Sequence, residues 1–142
     1  AEDFAFSHPG GALGRRLLLK VSDVMQTDIP KVAPDSNIAS ALVEMSSKGL
    51  GMTTIVDANN KLLGIFTDGD LRRTLDKKVD LHQSPIQTVM TAGCKTIEPD
   101  KLAAQALKLL EDNHISVLVV LDDNHTPCGV VHIHALIRAG LA

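Results

Sequence analysis

Tryptophan and tyrosine are absent from this 142-residue chain and phenylalanine occurs three times. No sign of charge dominates: 14 Lys and Arg stand against 17 Asp and Glu, for a net charge of −3. With neither Trp nor Tyr to stack on bases and no basic field, there is little to grip a nucleic-acid strand, and no nucleic-acid partner is expected. Long apolar runs are missing as well. The strongest, Val117–Leu121, is far short of the ~20 residues that span a bilayer, and nothing N-terminal reads as a secretion signal. No membrane is expected, and the cytoplasm is the expected location. The two cysteines, Cys94 and Cys128, have no Cys-x-x-Cys spacing, which leaves buried, reduced thiols and neither a zinc site nor a redox motif. The chain opens Ala1-Glu2-Asp3-Phe4 with no initiating Met, as expected of a piece of a longer protein.

What is present suits a globular fold. Hydrophobic residues make up 44% and charged residues 22%, at a length that fits one compact unit or two small repeats. Internal similarity decides for repeats. Val24-Met25 recurs as Val89-Met90, Pro34-Asp35 as Pro99-Asp100, Ala41-Leu42 as Ala106-Leu107, and Gly64 as Gly129, each pair 65 residues apart. Asp57, Asn59, Leu71 and Arg73 return at the same spacing as Asp122, Asn124, Leu136 and Arg138. A constant, gapless offset over a whole unit marks two copies of one supersecondary block.

Each copy reads alike. A short extended piece (31–33; 96–98) is followed by Pro-Asp, which stops the strand and caps a helix. Ile38, Ala41, Leu42 and Met45 then fall at i, i+3, i+4 and i+7, and Ala103, Ala106, Leu107 and Leu110 repeat that stripe, predicting one buried helix face. Gly49 is the expected helix stop in copy one. Two strands joined by an Asp/Asn-rich turn come next (52–56 and 62–66; 117–121 and 128–131). The run Val117–Leu121 is apolar on both faces, as for a strand covered on both sides. A closing helix ends each copy (68–75; 134–139), and 76–85 reads as a connector. The order is β-α-β-β-α, twice. Upstream, Pro9, Gly10 and Gly11 predict a loop and 13–20 a short helix, whose Leu17 and Leu18, with Val21, need an apolar neighbour in the first copy or in a preceding domain.

At the closing junction of copy one, Gly64-Ile65-Phe66-Thr67-Asp68-Gly69-Asp70-Leu71-Arg72-Arg73 runs from strand into helix. Two readings share these residues. In one, helix-end amides and the Thr67 hydroxyl hold a phosphate, Gly69 admits it to the backbone, and Asp70 takes a ribose diol. In the other, Thr67-x-x-Asp70 is a capping box serving the helix alone. The second copy departs from the pattern: His132 stands where Thr67 does and Ala135 where Asp70 does, giving an altered second pocket. Alternate residues on a strand share a face, so His132 and His134 are also candidate metal ligands, with His114 or Asp122 as further members. Spacing supplies no third ligand, and no metal is expected. Arg72, Arg73 and Arg138 read as solvated helix residues, with pairing across the cleft or a dimer interface as the alternative.

Two β-α-β-β-α copies, each preceded by a Val-Met segment, the first ending in Gly-Ile-Phe-Thr-Asp-Gly-Asp, resemble a tandem pair of CBS (cystathionine-β-synthase-type) domains. The resemblance covers about 21–141, and Gly64, Thr67 and Asp70 match the family's phosphate-ribose motif. It implies an α/β (α+β) fold, the two repeats packed pseudo-symmetrically around a cleft that takes a nucleotide. Carried onto this chain, Thr67 and Asp70 face Thr91, Cys94 and Lys95 and the Ile115-Ser116-Val117 junction. There Lys95 adds positive charge, and Ile115 and Val117 pack against a base.

A narrower likeness lies in Ser7-His8-Pro9-Gly10-Gly11-Ala12-Leu13-Gly14-Arg15-Arg16-Leu17-Leu18 and in Phe66 through Arg73. Both stretches are similar to the C-terminal part of bacterial arabinose-5-phosphate isomerases, aldose-ketose isomerases in which a sugar-isomerase domain precedes the CBS pair. Those enzymes serve synthesis of Kdo, the octulosonate sugar of lipopolysaccharide. The resemblance implies residues 1–20 as a tail or linker from that domain, 21–79 as repeat one and 80–142 as repeat two. His8 is then a catalytic candidate in the full-length enzyme only, since a near-neutral imidazole suits proton transfer, and the fragment alone is expected to be inactive.

The expected role is regulation. A nucleotide settles in the cleft, favours one arrangement of the repeats and biases the linked isomerase, by a coupling typically worth ~1–3 kcal/mol. CMP-Kdo, or AMP or ATP, is the candidate ligand, with no required cofactor. The linked isomerase domain and a second copy, as a dimer of CBS pairs, are the expected partners. The alternative is a structural module that dimerises with its cleft empty.

Overall fold

The computed structural model describes residue 14 and residues 17–141. His8, and most of the predicted 1–20 tail with its helix, lie outside the described residues. The element order is α1 (Val21–Val24), β1 (Lys31–Val32), α2 (Ile38–Lys48), β2 (Met52–Val56), β3 (Leu62–Thr67) and α3 (Asp68–Asp76). After a 3-10 turn at Ile86–Thr88 come β4 (Thr96–Ile97), α4 (Ala103–Asp112), β5 (Val117–Leu121), β6 (Pro127–His132) and α5 (Ile133–Arg138). The predicted β-α-β-β-α order is therefore present twice.

The strands form two three-stranded sheets, ordered β1-β2-β3 and β4-β5-β6. The opening strand pairs parallel to the second in each, Lys31 opposite Thr54 and Thr96 opposite Val119. β2 and β3 pair antiparallel, with Met52 opposite Thr67. β2 is buried along its whole length. Its two threonines are fully buried because their hydroxyls find acceptors, Thr54 on Pro30 O at 2.7 Å and Thr53 on Thr54 O at 3.2 Å.

The chain divides into two compact units whose contents cross between the copies. One unit holds Asp28–Lys95 with Asp122–Cys128; the other holds the chain up to Thr27, Thr96–Leu121 and Gly129 onward. In the first, Ile38, Ala41 and Met45 of α2 pack with Ile55, Phe66 and Ile86. Val89 and Met90 lean on that cluster from the segment before copy two, and Val79 and Leu81 from the connector. The connector is thus pinned: Ala39 N–H donates to Leu81 O at 3.0 Å and Asn37 Nδ2 to His82 O at 3.1 Å. In the second unit the fully buried Val21 is docked on copy two, its N–H donating to Lys101 O at 2.8 Å. Its apolar neighbour is therefore copy two, where local patterning pointed to copy one or to a preceding domain. Leu17 and Leu18 remain exposed.

The same exchange is written twice in the backbone. Ile86 N–H donates to Ser36 O at 2.7 Å as Val21 does to Lys101 O, and Gln87 N–H to Pro34 O at 3.2 Å as Ser22 does to Pro99 O at 3.0 Å. Ile65 and Thr91 exchange both bonds at 3.0 and 2.8 Å, as Gln26 and Val130 do at 2.8 and 2.9 Å. Each Val-Met segment lies in the unit with the other copy's sheet. Glycine permits this approach: a Cβ on Gly64 would sit 2.6 Å from Thr91 O, and one on Gly129 would collide with Met25.

Three local expectations are corrected. Asn37, not Asp35, caps α2, its Oδ1 accepting from Ser40 N–H at 2.8 Å. Leu102, not Asp100, is the N-cap of α4, and Gln105 Oε1 accepts from its N–H at 2.9 Å. His134 lies in α5 rather than on the strand that ends at His132. Gly49 does close α2, in the left-handed region at φ 68°. At the matching place after α4, His114 takes that conformation at φ 54°.

Candidate functional site

The strand β3 delivers Thr67 to the N-cap of α3, where its Oγ1 accepts from Asp70 N–H at 3.2 Å. Asp70 reaches back. Its Oδ2 accepts from Thr67 N–H at 2.9 Å and Thr67 Oγ1 at 3.1 Å. Its Oδ1 accepts from Thr91 Oγ1 at 2.9 Å and Arg73 Nη2 at 2.5 Å. The capping box is formed in full, and the carboxylate, 5% exposed, has its roughly four acceptor sites occupied by the protein's own donors. Thr74 Oγ1 adds a bond to Asp70 O at 2.8 Å.

Thr91 is brought to this cluster by its paired bonds to Ile65, and so Thr67, Asp70 and Thr91 meet. Cys94 and Lys95 belong to the same unit. Cys94, like Cys128, is half-buried rather than buried as expected, and its thiol pKa is pushed up by burial against a smaller backbone hydrogen-bond effect; Lys95 is exposed. Ile115, Ser116 and Val117 belong to the other unit. There Ser116 O accepts from Ile133 N–H at 2.8 Å and Val117 is buried at the start of β5. Cys128 too is pushed up, by burial and then by Asp122.

Arg73, which sequence patterning assigns to solvent, joins the site. Its side chain is 66% exposed, yet its guanidinium is bound to Asp70 one turn away. The i, i+3 spacing of opposite charges is the signal in the sequence that could have found it. Asp68 and Asp70 both lie in the first turn of α3, so the positive end of that helix is already countered by carboxylates.

At the matching junction of copy two, His132 replaces Thr67 as N-cap of α5: its Nδ1 accepts from His134 N–H at 3.1 Å. The two rings lie 4.5 Å apart. Burial first, then His134 and Arg138, lower the His132 pKa, which suits a ring nitrogen that must stay unprotonated to accept. Ala135 supplies no carboxylate, so no counterpart of the Asp70 network forms. Among the described residues no three metal-ligating side chains come together, and none of their helices is long and apolar enough to cross a membrane. A shallow pocket of about 470 Å³ lies between β1 and the end of β2, lined by Lys31, Pro34, Asp35, Val56 and Asp57 among others. It contains none of the expected ligand residues, and Asp57 Oδ1 is occupied by the Asn59 and Lys61 amides at 2.8 and 3.0 Å.

Two segments, 21–77 and 86–142, match the family model of the CBS domain. The chain belongs to the CBS-domain family. This CBS pair is 56% identical over 143 residues to the arabinose 5-phosphate isomerase KdsD of Pseudomonas aeruginosa, covering 99% of the chain and 44% of that relative. The isomerase KdsD of Escherichia coli K12 matches at 51% identity, with 99% and 43% covered. The chain thus spans less than half the length of the curated relatives it matches. Among solved structures, the CBS domain pair of protein MJ0100 in complex with 5'-methylthioadenosine and S-adenosyl-L-methionine superposes with a TM-score of 0.77 at 22% identity, over 85% of this chain and 94% of that one. The CBS domain protein PAE2072 from Pyrobaculum aerophilum complexed with AMP gives 0.77 at 15% identity, over 87% and 100%. At these identities the likeness establishes the fold.

Proposed function

We propose that this CBS pair is the regulatory nucleotide-binding part of an arabinose-5-phosphate isomerase, with its ligand held at the Thr67–Asp70–Thr91 junction. The observation that carries the reading is the 56% identity over nearly the whole chain to such an isomerase. AMP and S-adenosylmethionine complexes of CBS proteins with this fold lend support for a nucleotide. The chain itself is a sensor for the isomerase domain it is joined to, acts in the cytoplasm as a homodimer, and turns over no sugar phosphate alone. CMP-Kdo, the activated end product of the route the isomerase feeds, is the proposed effector, with AMP and ATP as the adenine alternatives.

Titration calorimetry with CMP-Kdo, CMP, AMP and ATP tests this. Binding of CMP-Kdo at least tenfold tighter than AMP, about 1.4 kcal/mol, is expected. No heat and no thermal shift with any of the four at millimolar concentration would overturn nucleotide sensing. One observation favours a second reading, a structural module without ligand: the Asp70 carboxylate is already filled by donors from the chain itself. A purely structural role predicts that silent result, with dimerisation intact by sedimentation.

A further inference from the structure

We infer that Arg73 reads the charge of the ligand: it occupies the position on Asp70 that a ligand hydroxyl needs, and leaves it only for an anionic group carried by the same ligand. The inference rests on the nucleotide reading above. Asp70 holds two donors on each oxygen, so an incoming hydroxyl must displace one. The two from Thr67 form the cap of α3, and Thr91 is fixed by its paired backbone bonds to Ile65. Arg73 is different: it is 66% exposed and held to the cluster only through its guanidinium, so it alone can swing into water without breaking backbone structure.

Charge decides which ligands can make the exchange. Asp70 is 5% exposed and Arg73 is the cation in contact with it, and a neutral hydroxyl cannot replace that charge. Nor does the helix end help, because Asp68 and Asp70 already counter it. Arg73 can give up Oδ1 only if a second anion comes within reach of its fork, which suits phosphate and carboxylate alike. A Cβ at Gly69 would lie 3.6 Å from both Arg73 Nη1 and Thr67 Oγ1, so the backbone beside the fork carries no side chain that an anion would have to displace. The ligand class is therefore a vicinal diol joined to a phosphate or a sugar acid, and neutral nucleosides are rejected. Copy two keeps Arg138 but has Ala135 for the carboxylate, so this exchange belongs to copy one.

The test is calorimetry on the full chain with two matched pairs, AMP against adenosine and CMP against cytidine. The wild type is expected to favour the phosphorylated member by about tenfold or more. In Arg73→Gln the preference collapses to within about twofold, through weaker nucleotide binding and stronger nucleoside binding. Arg73→Lys, which keeps the charge but not the fork, is expected to fall between, and carries the test alone if the Gln variant melts early. An unchanged preference in a folded, binding variant overturns the role of Arg73 and leaves the nucleotide site standing. Absence of binding by any of the four compounds to the wild type overturns the inference, and if CMP-Kdo and ATP are silent too, the nucleotide reading with it.

Discussion

The hydroxyl of Thr91 donates to Asp70 Oδ1 at 2.9 Å, which ties the segment leading into copy two to the motif that closes copy one. One buried carboxylate thereby caps a helix, pairs with Arg73 and anchors a segment from the neighbouring repeat.

Asp70→Ala strips four donors of their acceptor and is expected to lower stability by about 1–3 kcal/mol. Thr91→Val, which removes only the hydroxyl, should cost about 1 kcal/mol. Urea unfolding of the single and double variants measures their coupling. Strictly additive losses would show that Thr91 does not act through Asp70.

Two glycines five residues apart should respond in opposite ways. Gly64→Ala places a methyl 2.6 Å from Thr91 O, a backbone atom that cannot move aside, and is expected to cost about 1–3 kcal/mol. Hydrogen exchange should speed at the Ile65 and Thr91 amides. Gly69→Ala meets nothing nearer than 3.6 Å and lies inside α3, so it should be neutral or stabilising by up to about 1 kcal/mol.

His132 makes stability depend on pH. Its folded pKa is lowered by burial, His134 and Arg138, so the unfolded chain binds the proton more readily. The contribution is present above the unfolded value near ~6.5 and is lost as pH falls through the folded one. His132→Thr keeps a cap without a titration. Urea midpoints at neutral and mildly acidic pH should separate the two proteins, the wild type losing more on acidification; parallel losses would remove His132 from the account.

His114→Gly should stabilise the chain by about 0.5–1 kcal/mol, because His114 sits at φ 54° in the position that Gly49 fills at φ 68° in copy one. Equal denaturation midpoints would mean that the histidine gains back its strain elsewhere.

The repeat, its strand and helix order and the stripe Ile38, Ala41 and Met45 are readable in the sequence because periodicity and turn chemistry are local. The capping box is readable for the same reason: Thr67 and Asp70 are three residues apart. Local chemistry misleads where two polar candidates lie close together, Asp35 ahead of Asn37, since the choice of cap depends on where the chain turns. Arg73 escapes notice because an Asp70 reserved for a ligand leaves no place for it. The exchange of Val21 and Met90 between copies is beyond local patterning altogether: a residue's distant neighbour is fixed by the tertiary fold, and the Gly64 and Gly129 that receive these segments look like ordinary strand glycines.

That exchange bears on the order of events at the ribosome. When residues 31–76 have emerged, the sheet β1-β2-β3 and helix α2 are complete in sequence, yet Ile86, Val89, Met90 and the Asp122–Cys128 turn assigned to that unit are still unmade or hidden in the exit tunnel. The second unit waits longer, since Val21 precedes its acceptor, Lys101, by the whole of copy one. Neither unit is complete without residues of both copies, so its closure is non-local and waits on the second copy.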